Sequence, residues 1–123
     1  MNWNCEYLDN DKVVFIKYKG RVTLDLLKDS FKACLALASK SGVNRYLVDH
    51  TELIPSLSAI EVYEIPKIYD QLYVKKSSKI AVIKSKNPSL RENTKFFETV
   101  SRNRGYSVKL FDDKQSCLKW LNS

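Results

Sequence analysis

The sequence predicts a single α/β domain over residues 1–123, built on one small, mostly parallel five-stranded sheet in the order β-β-α-β-α-β-α-β-α. Three observations carry this expectation. Short runs rich in β-branched and aromatic residues, such as VVFIKY and KIAVIK, alternate with longer segments whose apolar residues recur at helical spacing. Helix-start signals follow the strands, and parallel strands need helical crossovers of this length. Only three glycines and three prolines occur in 123 residues, which leaves no room for a flexible linker or a second domain.

Each element has its own warrant. Trp3 to Leu8 and Val13 to Tyr18 read as strands, joined into a hairpin by the turn-forming Asp9-Asn10-Asp11. Thr23 then has the character of an N-cap, with Asp25 in the first turn where the helix dipole favours a negative charge. Leu24, Leu27, Phe31, Cys34, Leu35 and Ala38 form one apolar stripe on a helix that runs to about Lys40 and stops at Gly42. Tyr46 to Val48 is a short strand bounded by Arg45 and Asp49. Ser58-Ala59-Ile60-Glu61 has capping-box form and starts the next helix. Pro66 cannot donate its amide, so this helix is expected to break or kink near Ile65 and to resume through Val74. Lys79 to Lys84 suits a strand covered on both faces. A second capping box, Ser89 to Glu92, opens a helix carrying Phe96, Phe97 and Val100 that ends at Gly105. Ser107 to Phe111 is the last strand. Asp112 to Gln115 caps a final helix lined by Cys117, Leu118, Trp120 and Leu121.

Composition narrows the class. An apolar content of 44% and a charged content of 28% are those of a globular protein. The start of the chain lacks the basic, then apolar pattern of a signal peptide, and no apolar stretch approaches the ~20 residues of a membrane span. Cys5, Cys34 and Cys117 lie far apart without a C-x-x-C pair, as expected of buried thiols in a reducing compartment. The expected location is the cytoplasm, with peripheral attachment at the inner membrane face left open. The net charge of +7 is uneven: residues 1–61 balance eight basic against eight acidic side chains, whereas residues 62–123 carry thirteen against six. Such asymmetry suits an anionic partner.

Ligands of open α/β sheets gather where strand C-terminal ends meet helix N-termini, which directs attention to Asp49 to Ser58. Asp49, His50, Ser56 and Ser58 are candidates at this helix start, for structure or regulation. No nucleophile elbow, phosphate loop or zinc-ligand spacing accompanies them, so no catalytic residue, cofactor or metal is expected. Lys84, Lys86 and Arg91 lie at the same edge and could contact an anion. Lys75, Lys76, Lys79, Arg102 and Arg104 belong to the opposite end, ~20 Å away at about 3.3 Å per strand residue, and two separate patches argue against nucleic acid. The helix from Ser58 to Val74 is more apolar and aromatic than one core-facing stripe requires. Ile60, Tyr63, Ile65, Tyr69 and Tyr73, with Phe96 and Phe97 of the following helix, are the candidate ligand- or membrane-binding residues. A dimer surface is a further use of that excess.

The segments GRVTLDLL (20–27), RYLVD (45–49), PSLSAIEVYEIPKIYD (55–70) and FFETVSRNRGYSVKLFDD (96–113) together resemble the SpoIIAA-like proteins, grouped with the STAS domains and often labelled STAS/SEC14-like. The resemblance covers nearly the whole chain and implies a small mixed sheet with helices wound around it. In anti-sigma-factor antagonists of the STAS class, a D-S-S-G motif at the corresponding helix start carries a phosphorylated serine. Here that stretch is Ser56-Leu57-Ser58-Ala59: the phosphoacceptor aligns with Leu57, and the aspartate and glycine are absent. The expectation is therefore a non-enzymatic STAS-like binding module for a hydrophobic or amphiphilic ligand, or for an anionic membrane surface. The alternative is a regulatory protein–protein module resembling those antagonists.

Overall fold

The computed structural model describes residues 2–123. Five strands, β1 (Trp3–Leu8), β2 (Val13–Gly20), β3 (Arg45–Leu53), β4 (Lys79–Ile83) and β5 (Ser107–Phe111), form one sheet in chain order, β1-β2-β3-β4-β5. The β1–β2 hairpin is antiparallel and every other pairing is parallel. Four helices connect or follow them: α1 (Leu24–Ser41), α2 (Ala59–Gln71), α3 (Pro88–Asn103) and α4 (Lys114–Leu121).

Three successive crossovers of one hand step across the sheet in one direction, so α1, α2 and α3 all fall on the same face. There they cover Val14, Ile16, Tyr18, Tyr46, Val82 and Val108. The opposite face, with Val13, Leu47, Ala81 and Ile83, is covered by α4 through Cys117 and Leu121. The strand-to-helix alternation read from the sequence is thus realised in full, in a mixed and mostly parallel sheet.

Four local expectations change. β3 runs on to Leu53 instead of ending at Val48, because Lys19 and Gly20 of β2 continue past a register shift to pair with Glu52 and Leu53. The Ile54 amide donates to the Gly20 carbonyl at 2.8 Å, and Lys17 forms an ion pair with Glu52. Helix α2 is continuous through Pro66 and ends at Gln71, not at Val74. Proline removes one rung of the helical ladder, a cost of about 3 kcal/mol. Burial of Ile65, Pro66, Ile68 and Tyr69 on one face opposes it. The cap of α3 is Asn87, with Pro88 at the first helical position, in place of the Ser89–Glu92 box. The cap of α4 is Asp113, whose side chain accepts from the Ser116 amide at 2.7 Å, in place of Asp112.

The end of α2 carries local strain. The Val74 amide donates to the Tyr69 carbonyl and the Tyr73 amide to that of Asp70, the paired bonds of a Schellman closure. That closure needs a left-handed residue, and here it is Tyr73, at φ +59° and 89% exposed. A non-glycine residue there costs roughly 1–2 kcal/mol, and this side chain buries almost nothing in return. Tyr73→Gly is expected to raise stability by about 0.5–1 kcal/mol, seen as a higher urea midpoint at unchanged slope. A lower midpoint would show that the ring contributes packing.

Candidate functional site

Between the helical face of the sheet and helices α1 to α3 lies a cavity of about 80 Å³. Its floor is Tyr18 of β2 with Val48 and His50 of β3. Leu27 and Phe31 of α1 close one side, Val62, Ile65 and Tyr69 of α2 the roof, and Leu90, Thr94 and Phe97 of α3 the other side. The mouth is formed by Leu53, Ile54 and Leu57 of the β3–α2 loop and by Asn93. Tyr69 ties the walls together, its ring 5.1 Å from Phe31, 5.2 Å from Tyr106 and 6.3 Å from Phe97.

The polar groups around the cavity are few, and most are occupied. The Tyr18 hydroxyl and Ser30 Oγ share a buried hydrogen bond of 2.6 Å, and Ser30 also donates to the Leu27 carbonyl. Thr94 donates back to the Leu90 carbonyl at 3.0 Å. His50 is the exception. Its ring sits edge-on to Tyr18, 6.1 Å between centroids, and Nδ1 is buried without a hydrogen-bond partner among the described residues. Burial pushes the imidazole down to about 4, with the neighbouring Asp49 charge opposing weakly, so the ring is neutral at pH 7.

The β3–α2 loop over the mouth is held at both ends. Ser56 Oγ accepts from the Val22 amide and donates to the Val22 carbonyl, at 3.0 and 2.9 Å. Asn93 Nδ2 donates to the Leu57 carbonyl at 3.0 Å, bridging α3 to the loop. Ser58 caps α2 in a complete capping box with Glu61. Ser56 and Ser58 therefore both have defined bonding roles.

Asp49 and His50 do not stand at a helix start, as the sequence suggested, but inside β3. Successive strand residues point to opposite faces. His50 lines the cavity, whereas Asp49 is buried on the α4 side and accepts from the Thr51 amide at 2.8 Å. The two cannot work as an acid–base pair. Of the seven apolar candidates, Ile65, Tyr69 and Phe97 line the cavity. Ile60, Tyr63, Tyr73 and Phe96 are exposed on the outer surface, Ile60 to 76%. Of the three basic candidates, Lys84 pairs with Asp112 at 3.2 Å and Arg91 Nε donates to the Ser85 carbonyl, while Lys86 is exposed. At the opposite end, Lys76 and Arg104 converge on Asp70, which also accepts from the Tyr106 hydroxyl and is held down to about 2.

Tyr18, Leu27, Phe31, Leu90, Asn93 and Thr94 also line the cavity, and no sequence signal marks them as site residues. Phe31 and Leu27 belong to an ordinary amphipathic stripe, and nothing in that stripe distinguishes a residue facing a void from one facing a neighbour. Among the described residues, no group of three His, Cys, Asp or Glu side chains is placed to hold a metal, and no helix is long and apolar enough to cross a membrane.

These features define a small α/β domain with a mixed sheet, three helices on one face, one on the other, and an apolar cavity beneath the three. Its fold is SpoIIAA-like. An uncharacterised protein of the DUF3478 family from Shewanella loihica PV-4, described as having a SpoIIAA-like fold, matches with a TM-score of 0.61 and 23% identity over 97% of this chain and 91% of that one. No protein-family model matches the sequence, and no curated protein matches it.

Proposed function

We propose that this protein is a binding module, not an enzyme, and that its cavity receives the apolar part of a small amphiphile bearing a hydroxyl. The observation that carries this reading is the unpartnered imidazole of His50 in an otherwise apolar, imperfectly filled interior. Interiors are close-packed and their buried polar groups bonded, so a void beside an orphaned nitrogen is a feature that stability alone does not favour. Neutral imidazole can donate or accept one hydrogen bond, which suits a hydroxyl. The cavity is smaller than the ~150 Å³ that accepts benzene, so the group held is a short alkyl segment or the end of a chain entering past Ile54 and Leu57.

A second reading, contact with an anionic membrane, is favoured by the exposure of Ile54 at the mouth and of Ile60 and Tyr63 on α2. The two readings separate in one set of measurements. Straight-chain alcohols from butanol to octanol are titrated against thermal unfolding, and anionic vesicles are tested by co-sedimentation. The expected result is a saturable rise in melting temperature that grows with chain length before levelling. Absence of any saturable shift, with no small-molecule adduct in native mass spectra, removes the ligand reading. Co-sedimentation lost on Ile60→Glu would establish the membrane reading.

A further inference from the structure

The geometry points to a redox-modification site at Cys5 and Cys34: a dithiol that a peroxide oxidises to an intramolecular disulfide, stapling edge strand β1 to helix α1. Twenty-nine positions separate the two residues, yet the fold sets Sγ against Sγ at 3.2 Å. A disulfide needs about 2.05 Å, so a small adjustment of two side chains closes the gap. Cys5 lies on the helical face of β1 opposite Ile16, half-buried at the sheet edge and within reach of a small oxidant, whereas Cys34 is buried. Strand β1 pairs on one side only, with β2, and has more freedom to adjust than a central strand would. Cys117, on α4, is buried against the opposite face of the sheet with no thiol neighbour among the described residues, which makes it an internal control.

The chemistry is polarised. Either thiol can donate in the Sγ–Sγ contact, but that contact lowers the half-buried Cys5, whereas the same contact and burial hold Cys34 protonated, so the thiolate forms on Cys5. Cys5 thiolate attacks a peroxide oxygen, the O–O bond breaks, and hydroxide leaves, giving a sulfenic acid. Cys34, losing its proton to the released hydroxide, then attacks Cys5 sulfur, and the S–O bond breaks with the sulfenic oxygen leaving as water once protonated by solvent. The two thiols lose two electrons and two protons in all, and one hydrogen peroxide becomes two waters. The bond fixes α1 one turn from Phe31, and so anchors that wall of the cavity.

The test uses the purified, reduced, folded chain exposed to stoichiometric hydrogen peroxide. Free thiols are expected to fall from three to one, with loss of two hydrogens by intact mass and a Cys5–Cys34 linked peptide. Closing a loop of this length should raise the melting temperature by roughly 10 °C, reversed by dithiothreitol. Cys117→Ser should behave as the parent, and Cys5→Ser, altered only at the sheet edge, should form no intramolecular bond. Sulfinic acid on Cys5 with Cys34 still free, or a disulfide that forms only between molecules or only in denaturant, would overturn the assignment.

Discussion

Phe97→Ala is expected to lower stability by about 3–4 kcal/mol and, at the same time, to let the protein take up benzene. Phe97 is buried on α3, packs edge-on against Tyr69 and forms one wall of the cavity. Truncating a buried phenylalanine costs roughly 3–5 kcal/mol, part of it transfer free energy and part the void left behind. The lower half of that range applies because one side of the ring already faces empty space and has fewer contacts to lose. Removing the ring merges its volume with the existing 80 Å³. The product should reach the size at which apolar cavities bind benzene, near 150 Å³. Benzene at ten times its dissociation constant would then restore about 1.4 kcal/mol. Urea denaturation of both proteins, with and without benzene, measures each part. A loss under about 1 kcal/mol would mean that Phe97 is poorly packed. A full loss without benzene rescue would mean that the site collapses and that no cavity persists there.

His50→Leu should change the pH dependence of stability more than stability itself. The folded-state value of His50 lies near 4, below its ordinary 6.5, because burial disfavours the charged ring. The unfolded chain therefore binds the extra proton between those values, and stability falls as pH drops from 6.5 towards 4. A gap of this size corresponds to roughly 3 kcal/mol at its full extent, at about 1.36 kcal/mol per pH unit. In His50→Leu that contribution disappears. At pH 7 the variant should equal or exceed the parent by about 1 kcal/mol, since an unpartnered polar group leaves the interior. At pH 4.5 its advantage should widen by about 2 kcal/mol. Carboxylates elsewhere titrate alike in both proteins, so the difference between the two curves isolates His50. Parallel curves from pH 7 to pH 4.5 would refute burial of the neutral ring.

Most of the fold was legible because strands and helices here differ plainly in period, and because Thr23, Ser58 and Gly42 mark helix ends by local chemistry. What escaped was set by distant partners. Asp-His-Thr-Glu after Val48 reads as polar chain between strand and helix, yet it is strand, because the far end of β2 supplies hydrogen bonds and Lys17 supplies a charge for Glu52. Pro66 reads as a break, yet the helix continues, because burial on both sides of it outweighs one missing bond. The site was half legible. An excess of apolar residues on α2 and α3 directed attention to Ile65, Tyr69 and Phe97, although that same excess also includes Ile60 and Tyr73, which face water. The contribution of α1 and β2 was silent, since a stripe such as Leu27-Phe31-Cys34 looks the same whether it meets atoms or a void. The Cys5–Cys34 approach was equally silent. No spacing rule links a residue on an edge strand to one on a helix across a hairpin.

The order of the strands has a consequence for how the chain is made. Each strand pairs with its immediate predecessor in sequence, so no pairing has to wait for a distant segment. A ribosome delivering the chain from its N-terminus could lay the sheet down strand by strand, each helix closing the helical face as it emerges. The other face has no such provision. Leu47, Ala81 and Ile83 stay open to water until α4 arrives, because α4 supplies Cys117 and Leu121 to cover them. A nascent or truncated chain that stops short of Lys114 would thus carry a finished sheet with one bare apolar side. Residues 114–121 are thus the seal on that side of the sheet.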